Sequence, residues 1–562
     1  MFIDFEGIDG SGKTTLSNAL AERLASRGMA VTHARARGEL RSALARRVRP
    51  LTRDPQLLEM SPRAEFFLNL ARETQQIDEV VRPALARKEI CITDRSLYSQ
   101  IALSAGGRGL EEAPLRAAAE LAGEGLWPDL VVLVDVDPDL ARMRKRAGKI
   151  RDGVSDEESG RKGLSGHGLL VRVRAHLLRM AAAEPRRFVV VRNEGRALEH
   201  VVEEIDEIVT ARLQGRPART SCSTGPKRPT EPVRDLEQRF FEAVEDLSRT
   251  EPWLALHLLT GIPGRTAHLR RVENAEAWPR NVAASLAELR DAASYELRGT
   301  LAHAAPAEVA ASLRSDPGPA AMLLRSLLFE RAPEAVLLGL SRNPSTDAWQ
   351  LREAAIQRGW LDRALPGMAG LDCERAWDAR ERGMRAGLHA AVAKSLAGLA
   401  GERAEAVRDA LFPYCRLEVL ASTRGLDTPF ARRAREGLAA VAPKPVLRSL
   451  QGVAAAYADA LRVQLAQQTK EALDSVEGCD SDLAWSLRER WLTTWPAAAV
   501  LSLRGLALQP RAQRLVAAAL TSFPESIAVI RAAHFVVARA MQAQQRPAAR
   551  EPAAEPELRI GA

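Results

Sequence analysis

The sequence predicts two unlike halves: an α/β domain on a parallel sheet, then an all-α solenoid of stacked helical hairpins. Three observations carry this. Up to about residue 212, short β-type runs alternate with amphipathic helical stretches, the pattern of a parallel sheet covered on both faces. Gly7-Ile-Asp-Gly-Ser-Gly-Lys-Thr14 matches G-x-x-x-x-G-K-[ST], with a strand before it and a Leu-bearing helix after it. From about Asp235 to Met541 no strand pattern occurs, and similar phrases recur at helical-hairpin spacing.

At 562 residues the chain exceeds one ordinary core, so two or more domains are expected. Its 46% apolar and 27% charged residues are those of a globular protein, and 4% aromatics with abundant Ala, Leu and Arg favour helix. The net charge of +8 is carried largely by helix-periodic arginines and reads as a solvated basic surface. Cys91, Cys222, Cys373, Cys415 and Cys479 are scattered, without CxxC pairs or zinc spacing. That pattern suits a reducing cytoplasmic compartment. Neither a signal-peptide pattern nor an apolar run of ~18 residues is seen, so no membrane association is expected.

Taken in order, Phe2–Glu6, Val31–Ala36, Ile90–Asp94, Leu130–Asp135 and Phe188–Val191 read as strands. Thr14–Arg27, Ser61–Ala86 and Asp139–Arg146 carry helical periodicity. These make a first domain over 1–212. Residues 213–233, with Pro217, Pro226, Pro229 and Pro232 among Gly, Ser, Thr and basic residues, read as a flexible basic linker. A helical-repeat, HEAT-like domain is expected over 234–542, and residues 543–562, rich in Gln, Ala, Pro and Glu, as a disordered tail.

The repeat reading rests on two phrases. Ala348-Trp349-Gln-Leu-Arg352-Glu353 returns as Ala376-Trp377-Asp-Ala-Arg380-Glu381, 28 residues later, and as Ala484-Trp485-Ser-Leu-Arg488-Glu489, 108 further on. A weaker copy is Ala431-Arg-Arg-Ala-Arg435-Glu436. Pro333, Pro443 and Pro496 are each followed by Val-Leu and a further Leu. Two phrases per period of roughly 25–30 residues describe hairpins that bury their faces only by stacking. A Trp returning at one repeat position is expected to pack between hairpins.

The Gly7–Thr14 segment carries the chemistry. Gly7, Gly10 and Gly12 allow a tight turn that brings backbone N–H groups against phosphate oxygens, with Ile8, Asp9, Ser11 and Thr15 completing the ATP-binding stretch. The helix starting near Lys13 adds its positive dipole end. Lys13 is a point charge for the β- and γ-phosphates, and Thr14 offers a hydroxyl to magnesium. Asp94, at the end of a strand beside the P-loop, is a second candidate ligand for Mg2+, through water. Arg95 is placed to grip an acceptor phosphate. The basic run Arg142–Arg151 ahead of Asp152–Gly160 reads as a closing lid, with Arg144, Arg146 and Arg151 as candidate catalytic cations.

Phe5-Glu6-Gly7-Ile8-Asp9-Gly10-Ser11-Gly12-Lys13-Thr14-Thr15 resembles the opening of thymidylate kinases, F-E-G-x-D-G-x-G-K-T-T. Arg82-Pro83-Ala84-Leu85, Ile90–Arg95, Ser99, Gly107-Arg108-Gly109-Leu110, Pro128-Asp129-Leu130 and Leu133–Pro138 follow the same family. The resemblance implies a nucleoside-monophosphate-kinase-type P-loop fold, ATP and Mg2+, and dTMP as first acceptor, with dimers common in the family. It implies that Asp9 faces the acceptor's phosphate and sugar or its metal, and that Arg72 reaches the base. Gln100 offers an amide to the base edge.

The acceptor side departs from the family. Its strand-2 motif, E-P-G-G-T or F-P-R-Y, is replaced by His33-Ala-Arg35-Ala-Arg37-Gly-Glu39, where Arg37 is the candidate. Leu68 stands where an aromatic usually stacks on thymine, and Ser96 and Leu103 replace two further aromatics. Stacking contributes about 1–3 kcal/mol per base, so base recognition is expected to be weaker or broader. Two alternatives stay open: the same chemistry on another acceptor, and an ATP-responsive switch whose repeats bind a protein. Nucleic acid is disfavoured, because no stacking aromatics accompany the basic linker.

Overall fold

The computed structural model describes residues 1–36, 39–52, 60–154, 167–214, 236–314, 316–466 and 469–545. Most of the expected linker and tail, part of the expected lid and Arg37 lie outside them.

The first half is a five-stranded sheet of order β2-β3-β1-β4-β5, every pairing parallel. Its strands are β1 (Phe2–Glu6), β2 (Val31–His33), β3 (Ile90–Asp94), β4 (Leu130–Asp135) and β5 (Phe188–Arg192). β1 is buried on both faces, as the centre of a parallel sheet must be. Helices α1 (Lys13–Ser26), α2 (Ala43–Val48), α3 (Pro62–Gln76), α4 (Arg82–Ala86), α5 (Leu97–Ile101), α6 (Glu112–Gly123), α7 (Pro138–Asp152), α8 (His167–Ala183) and α9 (Leu198–Leu213) complete the domain.

One sheet face buries Ile3, Phe5 and Val132 under α1 and α9, and the other buries Phe2, Val131 and Leu133 under α3, α5, α6 and α8. Local signals start the helices: Pro62 follows Ser61, whose Oγ accepts from Ala64 N, and Asp137 caps Asp139 N and Leu140 N ahead of Pro138. β2 is shorter than the expected Val31–Ala36. After His33 the backbone turns, Arg35 N donating to His33 Nδ1, and the Arg35 side chain crosses to the Asp94 carbonyl. The single helix expected over Ser61–Ala86 is broken by a π-helical turn at Ile77–Val81.

Every regular element among the described residues of the second half is a helix. It opens with α10 (Leu236–Thr250), α11 (Pro252–Leu258), α12 (Arg265–Glu273) and α13 (Pro279–Ser285), and the alternation of short inner and longer outer helices continues to a last helix, Ile527–Gln545. Inner helices begin with Pro252, Pro279, Pro306, Pro333, Pro443 and Pro496, each at the first turn, where the missing N–H costs nothing. The hairpins stack in series as expected, and the array also closes on itself. The last helix packs on Pro496–Leu501 and on α10, so the ends meet and the hairpins form a closed ring. Arg531 Nε donates to the Leu258 carbonyl at 3.1 Å, and Glu288 accepts from Arg504 at 2.8 Å and Arg539 at 3.0 Å.

The repeat is fixed by arginine as much as by tryptophan. Arg271, Arg298, Arg325, Arg352, Arg380, Arg408, Arg435, Arg462 and Arg488 are all buried on outer helices. Arg380 is typical, donating to the carbonyls of Met368 (3.1 Å), Leu371 (2.9 Å) and Ser395 (3.1 Å) and to Ser395 Oγ (3.1 Å). Most of these guanidiniums thus satisfy carbonyls just past the end of one inner helix and at the last residue of the next, the use a planar fork suits. Trp349, Trp377 and Trp485 are buried as expected, and two arginines cover each ring. For Trp377 they are Arg380 of its own hairpin and Arg403 of the next, both 4.5 Å from the ring centre.

Candidate functional site

The carboxyl ends of β1, β3, β4 and β5 deliver Gly7, Arg95, Asp135 and Asn193 to one edge of the sheet, where open α/β folds bind ligands. There Gly7, Gly10 and Gly12 adopt φ of 145°, 90° and 94°, which side-chain-bearing residues rarely reach. α1 starts at Lys13 directly from Gly12, so its free N–H groups open onto the loop. Lys13 is buried and donates to the Ile8 carbonyl at 3.0 Å. Burial, reinforced by Arg95, pushes its pKa down to about 8.

Thr14 donates its hydroxyl hydrogen to Asp94 Oδ2, while Asp94 Oδ1 is buried with no hydrogen-bond partner. Burial alone would raise the Asp94 pKa, but Lys13, Arg35, Arg95 and the Thr14 hydroxyl together hold it below the usual carboxylate range. Arg95, at φ 82°, is the residue after β3. Its guanidinium donates to Asp9, to the Gly7 carbonyl at 3.2 Å and to Ser99 Oγ at 3.0 Å. Two buried carboxyls lie beneath. Asp4 accepts from Thr93 and Ser96, Glu6 from Ser99, and burial raises the pKa of both.

Of the residues expected on the acceptor side, Arg72 and Gln100 are buried and meet on Glu73, Arg72 Nη2 at 2.5 Å and Gln100 Nε2 at 3.1 Å. Leu68 is half-buried on α3, Phe66 is buried and Phe67 exposed. Ser96 is spent on Asp4 and on capping α5.

Several residues of this site escaped the sequence reading. Arg35 donates to the Asp94 carbonyl at 3.0 Å and is held by His33, which burial keeps neutral, with its pKa down to about 4. Glu73 lies beside Arg72, yet nothing in the sequence distinguishes it from other helical glutamates. Asn193 Nδ2 donates to the Ser11 carbonyl at 2.8 Å; its place just past a strand end was the available signal.

The lid candidates point elsewhere. Arg144 forms a bidentate pair with Glu251 of the repeat half, at 2.6–3.1 Å, and donates to the Asn193 carbonyl at 2.8 Å. Arg151 pairs with Asp152 and lies 5.1 Å over the Trp253 ring. The Arg146 charge is felt by buried His257 and Arg531. Lys145, between them, reaches Asp9 at 3.3 Å.

A family model described as thymidylate kinase matches residues 5–205. The chain is 38% identical over 213 residues to the thymidylate kinase of Nitratidesulfovibrio vulgaris (strain DP4), covering 38% of this chain and 93% of that protein. This chain belongs to the thymidylate kinase family. The thymidylate kinase of Cutibacterium acnes is 37% identical over 213 residues, covering 38% of this chain and 98% of the relative. A solved thymidylate kinase from Ehrlichia chaffeensis, 25% identical, covers 37% of this chain and 98% of its own, with a TM-score of 0.28. Membership of the family makes the protein a phosphotransferase of the nucleoside-monophosphate-kinase kind. Its helical repeats lie outside the thymidylate kinase match. No helix among the described residues is long and apolar enough to cross a membrane.

Proposed function

We propose that the protein transfers the γ-phosphoryl group of ATP to a nucleoside monophosphate, dTMP first. One observation carries the reading: Lys13, Arg35 and Arg95 converge beside the Thr14–Asp94 pair at the ligand-binding edge of a parallel sheet. Such a cluster of cations suits two polyanions brought into line, which is most of what phosphoryl transfer requires.

On this reading the P-loop amides and Lys13 hold the β- and γ-phosphates. The donor set fits magnesium: a hydroxyl and a buried carboxylate oxygen without a partner, on residues already in contact. Bound there with ATP, the ion would supply positive charge to the bridging phosphate oxygens. Arg95, fixed by Asp9 and Ser99, grips the acceptor phosphate, and Arg35 adds a second cation from the β2 side. Glu73 occupies the Gln100 Nε2 group, leaving Gln100 Oε1 to accept from a base N–H. With Leu68, Ser96 and Leu103 in place of stacking aromatics, discrimination among bases falls to that polar edge. This favours a second reading, the same transfer to a wider set of monophosphates.

The test is ADP formation by purified full-length protein with ATP, magnesium and each nucleoside monophosphate, Lys13→Ala serving as control. Lys13-dependent turnover fastest on dTMP supports the first reading, and comparable turnover on several bases the second. ATP binding without acceptor-dependent turnover would sink both and leave an ATP-responsive scaffold.

A further inference from the structure

The repeat ring has an occupant within its own chain. α7 packs against α11, α13 and the last helix. Asn281 of α13 donates to the Ala147 carbonyl at 3.1 Å, and Trp253 of α11 lies against Arg151. α7 also meets the P-loop at three successive residues. Lys145 reaches Asp9, the Ala141 carbonyl abuts Gly10, and Arg144 joins Ser11 through Asn193.

The last of these contacts is continuous from one half to the other. Glu251 accepts from Arg144 Nε and Nη2, Arg144 Nη1 donates to the Asn193 carbonyl, and Asn193 Nδ2 donates to the Ser11 carbonyl. The Asn193 amide is wedged in place: a Cβ on Gly12 would stand 2.5 Å from its nitrogen. The Arg144 and Glu251 side chains are only 10% and 18% exposed, so their charges meet with little solvent screening.

Glu251 is also out of character for its repeat position. It is the residue before the proline that starts an inner helix. In the other proline-started inner helices that place holds Trp278, Ala305, Ala332, Ala442 and Trp495, all in the same backbone conformation. A packing position has been given to an acid where the ring faces the kinase.

We infer that Glu251 of the repeat domain is a positioning residue for the nucleotide-binding loop, acting through Arg144 and Asn193, so that the ring completes the ATP site. The inference rests on the reading of the P-loop as an ATP site. It assigns Arg144 to bracing the loop rather than to the transferring phosphoryl group. With Glu251 gone, Arg144 is a buried cation with one tether, and the Ser11 carbonyl loses its fixed support.

The experiment uses full-length Glu251→Gln, Glu251→Asp, Asn193→Ala and the Glu251→Gln/Asn193→Ala double variant. MgATP binding is measured by calorimetry, with KM for ATP, KM for dTMP, kcat and Tm alongside. Glu251→Gln is expected to weaken MgATP binding and raise its KM about tenfold, the lower end of the scale of one charge-assisted hydrogen bond. The KM for dTMP should stay near wild type, while the Tm should fall somewhat, because Arg144 keeps only one tether, and recover in Glu251→Asp. Glu251→Asp should recover much of the loss, and the double variant should bind no worse than Asn193→Ala alone. Unchanged ATP binding in Glu251→Gln would overturn the relay, as would a raised kcat at unchanged KM, or equal losses on both substrates. Calorimetry reads the relay even if no acceptor turns over, which separates its failure from that of the acceptor assignment. A wild-type protein that binds no ATP overturns both.

Discussion

Thr14, the first residue after the P-loop lysine, donates its hydroxyl hydrogen to Asp94, 80 residues further along the chain. The contact joins the start of α1 to the end of β3, leaving the second Asp94 oxygen buried and without a partner. On the proposed reading, the two are magnesium ligands held ready by each other. Asp94→Asn keeps the shape and removes the charge that offsets Lys13, Arg35 and Arg95. Turnover at saturating substrates should fall by about 100-fold, a loss of ~2.7 kcal/mol in transition-state stabilisation. Steady-state assays across a magnesium titration check this. A variant within about twofold of wild type would remove Asp94 from the metal site.

Lys13 makes nucleotide binding pH-dependent in a definite direction. Burial lowers its pKa to about 8, and bound phosphates would raise it, since they favour the charged form. Binding therefore takes up a proton wherever free Lys13 is neutral. MgATP affinity should be level below pH ~8 and fall above it, by up to about tenfold per pH unit. Calorimetry in two buffers of different ionisation heat at pH ~9 should show the uptake directly. Flat affinity to pH ~9.5 would contradict it.

The parts of this molecule that could be read in the sequence were those set by local rules. The P-loop, β1 and the Asp94–Arg95 strand end rest on glycine conformation and strand alternation within a few residues. The proline that starts an inner helix and the Trp-x-x-Arg phrase were visible because they recur. The arginine's role was not, because its acceptors are backbone carbonyls, which every residue has. Closure of the ring was equally hidden, since Arg531 meets the Leu258 carbonyl 273 residues away with no sequence signature on either side. Arg144 shows the sharper limit: a basic helix ahead of a polar loop reads as a phosphate-facing lid, and only the fold shows Glu251 opposite it.

The buried arginines carry the ring. Arg380→Met approximates the aliphatic volume but strands the carbonyls of Met368, Leu371 and Ser395. A cost of about 3 kcal/mol is expected, with Arg380→Lys intermediate because a point charge cannot span the fork. Burial lowers the Arg380 pKa only to about 10, so at neutral pH the wild-type group is charged and the effect is not a titration. Hydrogen exchange should quicken mainly in the hairpin of Arg380 and its neighbours, as nearest-neighbour coupling in a repeat array requires. Uniform loss of protection across the chain would instead mark one cooperative unit.

Gly10 is where the P-loop lies tightly against α7, the helix that the ring holds. A Cβ there would stand 2.1 Å from the Ala141 carbonyl oxygen and 2.8 Å from its carbon, at a φ of 90° that already disfavours a side chain. The obstructing atoms are backbone, so relief requires either α7 or the P-loop to move. α7 is pinned through Glu251 and Asn281, which leaves the loop to give way. Gly10→Ala should therefore cost more than tenfold in MgATP affinity, beyond the ~1–2 kcal/mol of left-handed backbone strain. Gly148, also on α7, supplies the control, since a Cβ added there would meet nothing within 4 Å. Gly148→Ala should bind MgATP like wild type and gain about 0.5–1 kcal/mol of stability from helix propensity. Equal behaviour of the two variants in nucleotide titrations and thermal melts would show that α7 yields, and that the ring does not hold it against the loop.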